Sequence, residues 1–343
     1  MTSRHPVLCN LAQAGHPDGE PLAWVADLPA FALIQFQGPD AILFLQGQTT
    51  NDMTRATSSL ARLAGYCTAQ GRLLASAVFW QAQSAPEGAA NVIALLRRDI
   101  LAATQQRLAM FVLRAKVKIQ PCKDLATVGV SVPDSALRDL EKRLGHALPH
   151  QPWQVVHAPT GTWIAAAKED ATSHRFWWIA GQDHSAAFAC LDGLFGKWET
   201  ALWQAADIRA GLPWVAAATK DLFIPQTLNL DLIDGVSFTK GCYPGQEVVA
   251  RSHYRGTLKR RMALGWTSHQ DIALASDIVE SSDPEHPCGR VINQSWDGSK
   301  HWLLFECTFD ALSRGEIQLA GEAGARVHLL PLPYPVPRPG QSL

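Results

Sequence analysis

KGCYPGQE, residues 240–247, puts a thiol, a cation, a carboxylate, two glycines and a proline into eight positions: Lys240, Gly241, Cys242, Tyr243, Pro244, Gly245, Gln246 and Glu247. Glycines at Gly241 and Gly245 let the backbone turn sharply or approach a ligand closely. Pro244 stiffens the turn between them. A thiol two residues from an ammonium is held partly as thiolate where the side chains converge, which casts Cys242 as the reactive group and Lys240 as the residue that tunes it. Gln246 and Glu247 offer an amide and a carboxylate suited to the N–H and C=O groups of a heteroaromatic ring. The same spacing also describes a plain turn with an inert, buried cysteine, and spacing leaves both readings open.

Downstream, residues 251–261 hold Arg251, Arg255, Lys259, Arg260 and Arg261 with no acidic residue among them. On a strand or loop these cations suit a polyglutamate tail, RNA phosphates, an acidic partner or simply solvent. Beyond residue 257 the helical signals stop. Short apolar runs separated by Gly, Ser, Asp and Pro predict a small all-β barrel over 257–335. The alternating prolines Pro331 to Pro339 predict an extended tail, counted as residues 336–343.

Upstream, residues 1–23 are a polar leader, and an α+β body spans 24–256. Leu73 to Trp80 and Asn91 to Leu96 predict a strand pair, and Asp99 a helix cap. Phe111, Leu113, Ala115, Val117 and Ile119 alternate as a strand. Over about 113–197 the order is strand 125–132, a helix capped by Asp134 and stopped by Gly145, three further strands, and a helix near 185–195. That order predicts a ferredoxin-like lobe. Trp177 and Trp178 point to opposite faces of their strand, so at most one faces a ligand. A helix over 199–209 ends at Gly211-Leu212-Pro213.

Composition sets outer limits. The chain has 343 residues, 47% hydrophobic and 18% charged, with a formal net charge of −1. This excludes a highly basic coat protein and an acidic disordered tail. The start lacks the apolar core of a secretory signal, and no stretch is long and apolar enough for a membrane helix. The seven cysteines never fall as C-x-x-C and read as free thiols in a reducing cytoplasm. No histidine or cysteine spacing matches a metal site, so none is assigned.

The motif resembles the signature of the YgfZ family, folate-binding relatives of the glycine-cleavage T-protein, an aminomethyltransferase. The likeness extends through residues 223–261 (FIPQTLNLDLIDGVSFTKGCYPGQEVVARSHYRGTLKRR), 38–52 (GPDAILFLQGQTTND) and 65–75 (GYCTAQGRLLA). It implies an α+β fold with a T-protein-like, folate-binding body of ferredoxin-like lobes and a C-terminal small β-barrel. It also implies tetrahydrofolate or a derivative as cofactor, and a cytoplasmic role supporting assembly or repair of iron–sulfur enzymes, including those that modify tRNA. Partners would be folate and iron–sulfur enzymes or assembly factors, with possible tRNA contact and no membrane. Cys242 and Lys240 would act. Gly241, Tyr243, Gly245, Gln246, Glu247, Arg251 and Arg255 would line the cofactor site.

Two departures from the T-protein pattern stand out. T-proteins carry Gly-Gly-x-x-Asp-Asp where this chain reads Gly71-Arg72-Leu73-Leu74-Ala75-Ser76, so both carboxylate positions are neutral and aminomethyl transfer loses its carboxylate general base and cation stabiliser. Where T-proteins grip the pterin with glutamate, this chain has Arg209, which donates and cannot accept. Asp27, Asp52 and Glu247 are the candidate replacements, with Arg209 itself near the site or merely favouring a helix C-terminus. Two rival functions remain: a folate-dependent one-carbon transferase or demethylase using a different base, and a tRNA-binding module built on residues 251–261.

Overall fold

The computed structural model describes residues 21–83, 90–181, 194–254, 258–321 and 325–338. In chain order the first elements are β1 Ala23–Asp27, β2 Phe31–Gly38, α1 Ala41–Gln46, β3 Arg62–Cys67, β4 Leu73–Gln81, β5 Ala90–Arg97 and α2 Arg98–Ala109. Next come β6 Lys118–Pro121, β7 Leu125–Pro133, α3 Leu137–Leu144, β8 Val155–Ala158, β9 Gly161–Ala165, β10 Ser173–Gly181 and β11 Phe195–Lys197. The remainder are α4 Thr200–Arg209, α5 Gln246–Tyr254, β12 Arg260–Thr267, β13 Asp277–Glu280, β14 Asp283–Trp296, β15 His301–Thr308, α6 Phe309–Arg314, β16 Ile317–Leu319 and β17 His328–Leu330. This is a mixed α/β fold with three sheets.

The chain divides into two compact units. The first is Met1–Phe44, Met53–Arg62 and Val78–Trp203; the second is Leu45–Asp52, Leu63–Ala77 and Gln204–Leu343. The first unit contains a six-stranded sheet in the order β11-β1-β7-β10-β9-β8. Its central strand β10 is buried on both faces, because Phe176 and Trp178 point one way and Trp177 the other. Trp178 stacks on Trp163 at 4.7 Å, while Trp177 stacks on Trp153 at 6.1 Å. Both tryptophans are fully buried, so neither waits for a ligand. β1 lies between β11 and β7, where a bare ferredoxin-like lobe pairs its first and last strands directly. In the same unit β2 pairs antiparallel with β5 and β6.

The second unit holds the antiparallel sheet β16-β13-β14-β15-β12-β17. Its two ends are joined by one segment: residues 325–327 bond to β16, the Val327 amide donating to the Ile317 carbonyl at 2.9 Å and the Leu319 amide to the Ala325 carbonyl at 3.0 Å, and the chain runs on into β17, which pairs with β12. The unit also carries α6, a helix the sequence reading missed. Thr308 accepts from the Ala311 amide at its start, and Gly315 ends it in the left-handed region at φ 74°. The proline-rich end folds back on this unit: the Tyr334 hydroxyl donates to the Gly211 carbonyl at 2.8 Å.

Three local expectations need correction. Neither Asp99 nor Asp134 caps its helix by a side-chain bond; Asp99 lies in the first turn of α2, and Asp134 instead accepts from His174 at 2.8 Å. The alternating run from Phe111 is a strand only over β6, with Phe111 and Leu113 exposed, because the apolar alternation there has no covering layer. The predicted helix near 185–195 falls largely outside the described residues, as do most of the leader and the end of the tail. Gly145, by contrast, ends α3 at φ 75° as the sequence requires.

Gly129 on β7 faces the Trp203 indole, and an added Cβ would lie 2.4 Å from that ring. Gly129→Ala is therefore expected to destabilise the protein by about 1–3 kcal/mol, read as a lower midpoint in urea unfolding. An unchanged midpoint would show that the ring has room to move.

Candidate functional site

The site begins with Thr50 and Asn51, two residues that composition gave no reason to notice. The Thr50 amide donates to the Gly65 carbonyl at 2.9 Å, and its hydroxyl accepts from the Gly65 amide while donating to the Gly235 carbonyl. Asn51 donates to the carbonyls of Leu63 and Asp234 at 2.8 and 2.6 Å. These bonds stitch residues 49–52 to β3 and to the loop that precedes the motif.

Lys240 completes the stitching. It is 8% exposed, and its ammonium donates to the carbonyls of Gln46, Thr49 and Asn51 at 2.5, 2.6 and 3.1 Å. An ammonium has three donors, and all three are used. It also sits 5.1 Å from the centre of the buried Tyr243 ring, a cation–π contact. Burial pushes the Lys240 pKa down to about 8, with the Asp52 carboxylate pulling the other way. The sequence expectation was that Lys240 tunes Cys242. Its proton-bearing atoms are instead taken up by backbone carbonyls.

The far end of the motif is fixed by steric fit. Gly245 has φ 81°, and a Cβ there would lie 2.4 Å from the Thr68 carbonyl and 2.6 Å from Gly71. Gly71, at φ 75°, turns the chain between β3 and β4 and packs against Val248. The three sequence blocks, 38–52, 65–75 and 223–261, therefore meet at this motif. α5 starts immediately after Gly245, with Gln246 and Glu247 in its first turn and the Val249 amide bonded to the Gly245 carbonyl. Gln226, fully buried, donates to the Val249 carbonyl and holds α5 from below.

Between these fixed ends the crest is open. Cys242 is exposed, and a Cβ on Gly241 would meet nothing within 4 Å. Cys242 is therefore not the buried cysteine of the plain-turn reading. Burial pushes the Tyr243 phenol up, with Cys67 beside it adding to the shift. Burial also pushes the Cys67 thiol up, so it stays protonated.

The other candidates fall in different places. Gln246 is within 3.5 Å of the Lys240 carbonyl. Glu247 is exposed and pairs with Arg251 one helical turn on, at 2.7 Å. Arg255 lies outside the described residues. Asp52 sits on the stitched loop, whereas Asp27 ends β1 in the first unit, its carbonyl accepting from Thr200. Arg209 turns toward the β14–β15 hairpin, 3.9 Å from Asp297 and with its guanidinium 5.0 Å from the Trp302 ring centre. Asp297 is opposed by burial, yet bonds from Trp302, Lys300 and Ser299 bring its pKa down to about 2, so it keeps its charge beside Arg209.

The basic stretch is not the free cationic strand or loop expected from sequence. Arg251 lies on a helix and is paired. Arg260 pairs with Glu306 at 3.2 Å, and buried Arg261 makes a two-pronged bond to Asp231 at 2.7 and 2.9 Å. At the T-protein acid positions, Ala75 and Ser76 are both buried. Ser76 accepts from the Val215 amide and donates to the Pro213 carbonyl. A cleft of about 240 Å³ between β12, β17 and α6 includes Arg261, Leu329 and Leu332 but none of the motif residues. Among the described residues no group of three or more His, Cys, Asp or Glu side chains is arranged to hold a metal ion. Nor is any described helix long and apolar enough to cross a membrane.

No family model matches the chain. The fold is that of the T-protein: glycine cleavage system aminomethyltransferase T from Bartonella henselae superposes with a TM-score of 0.64 at 11% identity, covering 94% of this chain and 87% of that one. In sequence the chain is a relative of proteins named tRNA-modifying protein YgfZ. The Pectobacterium carotovorum protein is 28% identical over 317 residues, covering 90% of this chain and 91% of its own length. The Yersinia pestis protein is 29% identical over 326 residues, covering 92% and 93%. The resemblance to the YgfZ family thus holds along nearly the whole chain.

Lys240→Met leaves three carbonyls without a charged donor and is expected to cost about 1.5–3 kcal/mol at neutral pH. Unfolded lysine titrates near about 10.4. Between a folded value of about 8 and that value the unfolded chain binds the extra proton, so this group makes wild-type stability rise with pH. The stability gap between wild type and variant is therefore expected to widen above a pH of about 8, measured by urea unfolding. A gap that narrows with rising pH would contradict the assignment.

Proposed function

We propose that the protein is a folate-binding accessory factor that supports assembly or repair of iron–sulfur enzymes, including tRNA-modifying ones, with Cys242 as its reactive or cluster-contacting group. The observation that carries this reading is the presentation of Cys242. An exposed thiol sits on an open crest whose two ends are fixed by a buried ammonium and by a glycine that tolerates no side chain. An inert cysteine needs no such scaffold. The relatives' name, tRNA-modifying protein, agrees with a role connected to tRNA. The setting that goes with this reading is the cytoplasm, where an exposed thiol stays reduced.

The folate part rests on the shared fold and on donor chemistry. A pterin presents N–H groups that need acceptors. Gln48 Oε1 is buried without a hydrogen-bond partner, two residues from a carbonyl that Lys240 holds, and Asp52 lies on the same stitched loop. Asp52, Gln48 and Gln246 would hold the pterin, and the folate would supply a one-carbon carrier or a redox-active ring. Arg209, facing Asp297, is left out of this set. The proposal also includes the finer architecture, a body over 24–256 of two ferredoxin-like lobes and a C-terminal barrel over 257–335.

Aminomethyl transfer is not part of the proposal, because Ala75 and Ser76 supply no carboxylate. A tRNA-binding module through residues 251–261 loses support from the ion pairs of Arg251, Arg260 and Arg261.

Two measurements test the two halves separately. Titration of the purified protein with tetrahydrofolate and with folinic acid is expected to give saturable binding that weakens in Asp52→Asn. No saturable binding of either ligand would remove the folate half. Complementation of a deletion strain with Cys242→Ala is expected to leave iron–sulfur enzyme activity and tRNA thiolation near the deletion level. Full restoration by the variant would remove the thiol's role.

A further inference from the structure

The C-terminal sheet contains a second pair of thiols that the proposed function does not use. Cys288 on β14 and Cys307 on β15 have their sulfurs 3.8 Å apart, with the Cys307 S–H directed at the Cys288 sulfur. Both sit in the apolar cluster with Val291, Phe305 and Ile317. Two backbone irregularities create this approach. Ile278 pairs with Gly289 and Val279 with Pro287, so Cys288 is an extra residue on its strand. A bulge of this kind re-aims one side chain. Gly289, in turn, is opposite Cys307, and any Cβ there would lie 2.1 Å from the Glu306 carbonyl. The strands are thus in close contact just where the two sulfurs meet.

We propose that Cys288 and Cys307 form a dithiol–disulfide couple that closes on two-electron oxidation by hydrogen peroxide. A disulfide requires a sulfur separation of about 2.05 Å, so a side-chain rotation of modest extent closes the gap. The two cysteines have different parts. Cys288 is 8% exposed and follows the exposed residues 283–287, whereas Cys307 is fully buried. The S–H bond from Cys307 also lowers the Cys288 pKa against burial, and the same bond together with burial raises that of Cys307. Cys288 is therefore the attacking thiolate and Cys307 the resolving thiol.

The steps balance. The Cys288 thiolate attacks one peroxide oxygen; the O–O bond breaks, and the leaving hydroxide takes up a proton as water. Cys288 is now a sulfenic acid. The Cys307 sulfur attacks it, the S–O bond breaks, and the Cys307 proton leaves with the hydroxyl as a second water. Two thiols are oxidised to one disulfide and one peroxide is reduced to two waters. In a reducing compartment the dithiol is the resting form, and exchange with a small-molecule thiol restores it. The couple stands apart from the Cys242 loop and does not depend on the role proposed for it.

The test is hydrogen peroxide treatment of the purified full-length protein, followed by denaturation, alkylation and peptide mass spectrometry. Cys288 and Cys307 are expected to leave the alkylated pool together, to appear as one cross-linked peptide pair lighter by two hydrogens, and to return with dithiothreitol. Cys307→Ser is expected to stop Cys288 at a sulfenic acid that dimedone traps, and Cys288→Ser to leave Cys307 a free thiol. The proposal is overturned if both remain alkylatable after Cys242 is fully oxidised. It is equally overturned if Cys288 goes to sulfinic acid or bonds to Cys242 in place of Cys307. The wild-type arm decides the question even where a variant folds poorly.

Discussion

The candidate site depends on one buried charge. Removing an ammonium from water is costly unless its donors are satisfied, and Lys240 satisfies all three with the carbonyls of Gln46, Thr49 and Asn51. Gln46 is the last residue of α1, and Thr49 and Asn51 lie in the loop that follows it. An apolar side chain of the same length would fill the space and take the charged donor away from all three carbonyls. The lysine therefore fixes two segments at once: the loop behind α1 and the start of the Cys242 turn.

The rest of the site follows from that constraint. With residues 46–51 held, Thr50 and Asn51 can bond to Gly65, Leu63, Gly235 and Asp234, which sets the height of β3 beside the motif. The β3–β4 turn then lies against Gly245, where only glycine fits. Between Lys240 and Gly245 the chain has nowhere to go but outward, and Cys242 rides on that arch. The Arg261–Asp231 pair and Gln226 support the arch from the other side through α5 and the preceding loop.

Local chemistry was legible in the sequence; long-range partners were not. The Gly-Pro turn, the strand pair β4–β5, the stop at Gly145 and the double-faced β10 all follow from residues close together in the chain. Proximity along the chain pairs Lys240 with Cys242, whereas its hydrogen-bond acceptors lie up to 194 positions upstream. Arg251, Arg260 and Arg261 looked like a free basic run because Glu247, Glu306 and Asp231 are not visible as partners in one dimension. Arg209 is explained by Asp297 and Trp302, on a hairpin far downstream in the chain. Helix α6 was missed because six residues are too few for a periodic signal, although Thr308 and Gly315 marked its ends.

The central claim is that Lys240 couples the loop behind α1 to the Cys242 turn. Amide hydrogen exchange on wild type and Lys240→Met, with the amides of β15 as an internal reference, tests it most directly. The account predicts that residues 46–52 and 238–249 lose protection together in the variant while β15 keeps its own. Loss confined to residues 238–249, or no loss in either segment, would contradict it.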